Sequence, residues 1–486
     1  MNNGVEKASV SNMEEDKASP PNKGKSIDVG SASEVDKDIN NPSTSNMERD
    51  DTLNASNKGK DIESTSSIEY VNRDIMEQLQ TKMDALTSQQ DRAVCCIYRV
   101  LNSLRNIKPK MYTPRLISIG PLHRSNKRLE AMEKQKVRYF KQFTKRHELD
   151  NENISDLVSS IQKKEMVIRV SYSENLTRIR SSDFIQMILL DAVFVIEFMK
   201  DSIDQTFSNE FEPWMIFDIE EDLMLLENQL PFFIIQEIYD QVNLPSQESP
   251  CISKFLNLAT LYFANYTSSQ GLKNRNLTAV ESRHFTDLLR NFLLEGAFKR
   301  RYTLNPMKLK YSAVMLRKAG VKFQVIKEDK CLVNIKFEKG VLKIPLLDIR
   351  YCFERLVRNI MALEQCCYQR EAYVCSYIKF MDHLIDSAED VGLLVRKGII
   401  LHGLGDDAAV SNMINHFCKN IGDNYTCLGY ISRKINHHYE NRFNHTKASL
   451  KLIYFPNIWR GTATVAAAIL LILTFIQTIA SVKWAF

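Results

Sequence analysis

Apolar positions along this chain change their period several times, and each change marks an element. In DLMLLENQLPFFIIQEIY, Asp222 to Tyr239, long apolar runs bracket three consecutive polar residues, Glu227, Asn228 and Gln229. Flanks this apolar place the polar island inside or at the edge of a core, where carboxylates and amides need partners. Pro231 follows four residues after Glu227, and in a continuous helix its ring would clash with that residue's carbonyl. The pattern predicts a helix that kinks or restarts near Leu230, with the three polar side chains satisfying the backbone groups the break exposes. The stretch reads as a structural junction.

Ser182 to Met199, SDFIQMILLDAVFVIEFM, is apolar nearly all round. Too short to span a membrane and interrupted by Asp191 and Glu197, it predicts a buried core helix capped by Ser181, Ser182 or Asp183. Leu129 to Phe143 predicts an amphipathic helix whose outer face is cationic, through Lys134, Lys136, Arg138, Lys141, Lys145 and Arg146. Between Cys95 and Arg124, Pro109, Pro114, Gly120 and Pro121 favour an extended, turning segment. At residues 321–345 alternation and β-branched residues predict a small antiparallel element of two or three strands. Helical patterns occur around Phe255, from His284 to Phe298, and from Ile349 to the Asn436–His438 region.

The ends differ in kind from the middle. Residues 1–67 alternate Ser, Asn, Asp, Glu and Lys with almost no large apolar side chains, which predicts a disordered tail. From Ile68, the residues Val71, Ile75, Leu79, Met83 and Leu86 recur at helical spacing, an amphipathic helix over 68–90. A helical domain over 91–452 follows, with a candidate lobe boundary at 241–250, where two prolines enclose polar residues. Gly461 to Val482 is a run of about 22 residues without a charge, long enough to cross a hydrocarbon core of about 30 Å. Trp459, Trp484 and Tyr454 supply interfacial aromatics around it. Only Lys483 to Phe486 follow, so a tail-anchored protein with its bulk in the cytosol is expected. Lys447, Lys451 and Arg460 before the span against Lys483 after it agree with that orientation.

Composition alters little. Among 486 residues, 44% are hydrophobic and 25% charged, while Gly and Pro number only 16 and 13, which favours helix. A net charge of +5 with dispersed Lys and Arg argues against nucleic acid as a partner. Ten cysteines without a CxxC pair read as reduced core thiols, and the polar N-terminus is no secretory signal.

Candidate chemistry is thin. Cys366, Cys367, Cys375 and His383 carry metal-capable atoms at spacings that match no zinc pattern. His402 with Asp406 and Asp407 fits a turn followed by a helix cap. There is no GxSxG, HExxH, GxxxxGK[ST] or kinase signature, and a Cys–His pair from Cys95 or Cys96 is not singled out by anything. No catalytic, cofactor-binding or metal-ligating residue is assigned.

The segments taken together resemble the plant DUF247 group, also called UPF0481. The resemblance rests on YTPRLISIGP with Tyr112, Pro114, Gly120 and Pro121, then His123, then Met132, Glu133 and Lys136. It continues through MILLDAVFVIE around Asp191, DLMLLENQLPFF with Glu227, Asn228, Gln229 and Pro231, LRKAGVKF with Gly320, RKGIILHGLG with Gly398, and the run from Tyr454 to Thr478. Where the family usually reads Arg-Val-Pro, this chain has Arg99, Val100 and Leu101. The resemblance implies a mainly α (α+β) fold: a multi-helix globular domain with a small antiparallel β element and one C-terminal transmembrane helix. It implies no established biochemistry, and a recognition role in grass self-incompatibility for some members. The motif residues are expected to be structural. The expected function is a membrane-tethered interaction or signalling module with unidentified protein partners, no cofactor, and contact of 129–146 with anionic lipid as a further option. The alternative is an enzyme with Glu227, or the region of His123 and Glu133, in an acid–base site.

Overall fold

The computed structural model describes residues 72–80, 95–207, 211–243, 254–263, 282–294, 307–327, 331–422, 426–454 and 458–485. The chain divides into two units, Met1–Lys82 and Met83–Phe486. In the first, residues 72–80 are helical with Ile75, Met76 and Leu79 exposed. The tail expected over 1–67 and the rest of the helix expected over 68–90 lie outside the described residues.

The second unit is mainly helical. Its described elements, in order, are α1 (Asn102–Arg105), α2 (Ala131–Arg146), α3 (Asn151–Val170), α4 (Ser181–Asp204), α5 (Pro213–Leu223), α6 (Phe232–Val242), α7 (Lys254–Phe263), α8 (Phe285–Leu293) and α9 (Ala313–Lys318). Strands β1 (Lys322–Ile326), β2 (Lys336–Glu338), β3 (Val341–Pro345) and β4 (Leu347–Ile349) follow. Then come α10 (Phe353–Cys367), α11 (Tyr373–Leu384), α12 (Ala388–Arg396), β5 (Ile400–His402), α13 (Asp407–Phe417), α14 (Gly429–Glu440), α15 (Arg442–Tyr454) and α16 (Ile458–Ala485).

Helix α4 is the axis of the first half, packed on by α2, α3, α6 and α7. Its apolar circumference is buried, as the sequence predicts, and Phe194 stacks on Phe198 one turn along, at 5.5 Å between ring centroids. Its cap differs from expectation. Arg180 occupies the N-cap position without a side-chain bond, because Ser181 donates instead to Glu165 and Asp183 pairs with Arg180. The stripe of α2 facing α4 alternates apolar and polar groups: Lys136 meets Asp191, Tyr139 donates to Asp201, Phe143 is fully buried, and Arg146 pairs with Glu197. Lys136 therefore belongs to the buried face and not to the cationic one. Lys134, Arg138, Lys141 and Lys145 remain exposed.

The small sheet is present, but it is mixed and not wholly antiparallel. β3 is central, antiparallel to β2 and parallel to β1. Alternation in a sequence reports which face a strand buries and is silent on the direction of its neighbour. A second sheet pairs β4 and β5 in parallel, in strands of three residues, too short to show a period. The boundary expected at 241–250 is mostly outside the described residues, while Gln241 and Val242 still belong to α6.

Two motif glycines do one job. Gly320 after α9 and Gly398 after α12 both have positive φ, +84° and +68°. Each closes its helix with paired bonds: Gly320 N to Arg317 O and Val321 N to Leu316 O, then Gly398 N to Val395 O and Ile399 N to Leu394 O. Only a residue without a Cβ enters this left-handed position at no cost, and in both cases a strand starts two residues later.

Leu101, where the family usually has proline, sits at the N-cap of α1 with φ −51° and ψ 135°, and its N–H makes no hydrogen bond among the described residues. A proline ring accepts that φ and removes no bond. Leu101→Pro is expected to stabilise the protein by about 0.4–1 kcal/mol through the unfolded state. Thermal denaturation of the detergent-solubilised full chain tests this, and a lowered Tm would count against it.

Candidate functional site

The motif residues converge on one buried structure. The segment from Met111 to His123 runs through the interior in a path that its prolines bar from a sheet ladder. A buried backbone outside helix and sheet must find its hydrogen bonds elsewhere. Here side chains supply them. Asp222 accepts the N–H groups of Arg115, Leu116 and Ile117 at 2.7–3.0 Å. Asn228 accepts Ile119 N at 2.7 Å and donates to the carbonyls of Ile117 and Asp222. Asp191 accepts Gly120 N at 2.7 Å, and Lys136, 2.6 Å from Asp191, donates to Ser118 O.

The polar island does what its position predicts, with one correction. Helix α5 ends at Leu223, well before Pro231; the chain turns, and Pro231 becomes the N-cap of α6. The restart is where the proline demands it, but the break is a full turn of irregular chain and not a kink. Gln229 bridges the gap. Its Nε2 donates to Leu223 O and Leu225 O, both at 2.7 Å, and its Oε1 accepts Phe285 N at the start of α8. One amide thus caps the end of one helix and the beginning of another.

Glu227 gathers the cations. Its carboxylate accepts Val100 N at 2.5 Å, pairs with Arg105, and stands 3.2 Å from Arg99 Nη1 and 3.0 Å from His123 Nε2. Burial pushes its pKa up, but the His123 and Val100 hydrogen bonds and the Arg105 charge outweigh burial and hold it at about 2. Asp222 has the opposite balance: burial dominates, and Arg355 with the three amides only partly offsets it, leaving the group raised to about 6.

His123 and Glu133, considered as one region from the sequence, face different partners. His123 joins Glu227, whereas Glu133 pairs with Lys136 at 2.5 Å and Arg124 at 3.3 Å, beside a cavity of about 240 Å³. Tyr112 is buried near Val100, Leu104 and Leu226, with Arg105 over its ring. Pro114 is buried and Pro121 half-buried. Gly120 has φ +74°, and a Cβ there would meet Gln229 O at 2.6 Å.

Sequence reading missed the arginines. Arg105, Arg115 and Arg355 complete the cluster, and a second buried pair, Arg290–Glu364 at 2.9 Å, stands apart from it. Arg355 and Glu364 lie on the buried face of α10, in FERLVRNIMALEQ, and that breach of the apolar period was the available signal. Glu364 accepts Val374 N and Cys375 N, capping α11 from another helix. Asp406 caps α13 through Ala409 N, as expected, and His402 lies 3.1 Å from Asp407. Cys366, Cys367, Cys375 and His383 do not converge on a ligand set among the described residues. Burial pushes Cys366 up to about 11 and Cys367 to about 12, which makes them poor nucleophiles.

Two consequences are measurable. Glu227→Ala orphans Val100 N and strips Arg105 of its carboxylate, and Asn228→Ala orphans Ile119 N; each should lower stability by roughly 1–3 kcal/mol in denaturant titrations. A depressed carboxylate contributes stability above its unfolded pKa, 4.5, that is lost as pH falls toward 2, here about 3 kcal/mol in all. The stability difference between the native chain and Glu227→Gln should therefore be widest above pH 5 and shrink toward pH 2; a difference independent of pH would contradict the assignment. Gly120→Ala combines left-handed strain with a backbone clash and is expected to cost roughly 2–5 kcal/mol, read as a loss of folded protein.

The DUF247 family, described as plant protein of unknown function, matches residues 97–473. The UPF0481 protein At3g47200 of Arabidopsis thaliana is 28% identical to this chain over 418 residues, covering 79% of the chain and 85% of that protein. The putative UPF0481 protein At3g02645 of the same plant is 22% identical over 499 residues, covering 82% and 93%. No solved structure matches. The residues that build the buried clamp all fall inside the matched region, and the chain belongs to the plant DUF247 family.

Proposed function

We propose that this protein is a membrane-tethered interaction module, a helical body held at a bilayer by α16 and presenting its surface to partners. The observation that carries the reading is α16 itself. Thr462 to Trp484 has a mean hydropathy of 2.3 and is unburied along its length, with Leu471 at 71% and Phe475 at 67% exposure. At about 1.5 Å per residue it reaches about 35 Å, enough for a hydrocarbon core. So much apolar helix facing water would be an aggregation liability, whereas lipid satisfies it. Exposed Trp459 and Trp484 near its two ends suit the two interfaces. The basic flank before the span supports a cytosolic body.

The non-catalytic part of the reading is supported by the clamp. Glu227, Asp222 and Asp191 are all sealed, and each is committed to backbone amides or cations. A general acid or base needs a path to substrate. The exposed cations of α2, Lys134, Arg138, Lys141 and Lys145, add a candidate lipid-facing patch of lesser weight.

Membrane fractionation tests the tether: the full chain should resist alkaline carbonate extraction, and deletion of residues 458–486 should release it. Affinity purification from membranes should recover reproducible partners that the deletion loses. Extraction of the full chain by carbonate would sink the tether. Asn153 and Asn444 each begin an N-x-S/T sequon, and endoglycosidase-sensitive sugar at either would place the body on the other side of the bilayer.

A further inference from the structure

A groove of about 1290 Å³ opens between the β2–β3 hairpin and the helix pair α14–α15. Four cations line it, Lys322, Lys339, Arg433 and Lys434, against one carboxylate, Glu338. That is a net +3 in one groove, when the whole chain carries +5. The cations of the buried clusters, by contrast, are committed: Arg99, Arg105, Arg115, Lys136, Arg290 and Arg355 all pair with carboxylates. Among the described residues, none of the four groove cations has a carboxylate partner; Lys434 only lies over the Tyr430 ring at 4.5 Å. Unpaired like charges in a concavity repel one another and leave a standing positive potential.

The hairpin turn points the same way. Lys339 and Gly340 form a two-residue turn with φ +49° and +77°, the geometry that favours Asn-Gly. Lysine at the first position carries a left-handed strain that asparagine would lessen. Lys339 lines the groove and is exposed. Gly340 lets His438 approach, since a Cβ there would meet the imidazole at 3.1 Å, so the hairpin docks tightly on α14.

We infer that this groove binds a ligand carrying phosphate monoesters on a small polyol, as in a phosphoinositide headgroup or a soluble inositol phosphate. Clustered lysines and arginine match a multiply charged phosphate better than a single carboxylate or phosphodiester. Position favours the lipid source. Ala448 on the groove wall is ten residues from Ile458, where α16 starts, so even a fully extended chain keeps the groove within ~35 Å of the span. This preference for a lipid rests on the membrane-tether reading, whereas the phosphate chemistry does not.

The full chain in an uncharged detergent is titrated with dioctanoyl phosphatidylinositol 4,5-bisphosphate, dioctanoyl phosphatidylserine and inositol 1,4,5-trisphosphate. Saturable binding of both phosphorylated inositols is expected, at least about tenfold tighter than the serine lipid and weakening as salt rises. Lys339→Asn, which keeps the turn, and the double substitution Arg433→Glu with Lys434→Glu should each weaken it by about tenfold or more while Tm does not fall. Tighter binding of the lipid than of free trisphosphate assigns the source to the membrane; equal binding assigns it to the soluble ligand, and either supports the site. Equal affinity for phosphatidylserine, insensitivity to the substitutions, or stronger displacement by a phosphoserine peptide overturns it. Because no bilayer is used, a failed tether in the carbonate test leaves this result standing, and the converse also holds.

Discussion

A buried strand without a sheet is the constraint on which this fold depends. Residues 112–123 run through the interior with Pro114 and Pro121 excluding a continuous ladder, and the amides of Arg115, Leu116, Ile117, Ile119 and Gly120 are met by side chains. Asp222, Asn228 and Asp191 take those amides in turn, and Lys136 takes a carbonyl. These acceptors sit on α4, on α5 and in the turn that follows it, so one inlaid segment sets the mutual position of several helices. A half-satisfied network of this kind would be worse than an apolar core, which explains why its members come as a set.

The same device recurs at helix ends. Gln229 serves α5 and α8, Glu364 serves α11 from α10, and Asp390 accepts Val314 N at the start of α9. Local capping is replaced by capping from a distance, which converts helix termini into tertiary contacts. Such contacts form only when the packing is complete, so they favour one arrangement over loosely collapsed alternatives. The arginines fit this picture. Arg99 and Arg105 close over Glu227 with part of each side chain still wet, which limits the desolvation that a fully buried pair would suffer.

The two ends of the second unit divide the work. Its interior polar groups are spent on architecture, while the groove beside α14 and α15 keeps its cations exposed and the helix beyond it keeps its apolar side chains exposed. An exposed apolar face of this extent is uncommon on a protein surface facing water, whereas exposed cations are readily hydrated. Here α15, a helix of 13 residues, lines the groove and precedes α16 in the chain.

Much of this was legible in the chain. Strong periods mark α4 as a buried helix and α16 as a membrane-length one, the alternation at 321–345 marks strands, and a polar island between apolar runs marks a junction, because each is a property of neighbours within a few residues. What the island bonds was not legible: Asn228 meets Ile119, and Asp222 meets Arg355, across more than a hundred positions. Nor was the inward turn of Lys136, since a lysine on a basic helix looks solvated until Asp191 of another helix is seen beside it. Strand direction, the remote caps and the cationic groove depend in the same way on residues that only folding brings together. Local periodicity determines which elements form; the pairing of buried charge and backbone across elements is decided by the tertiary structure, because a polar group's cost in the interior depends on partners its sequence neighbours do not specify.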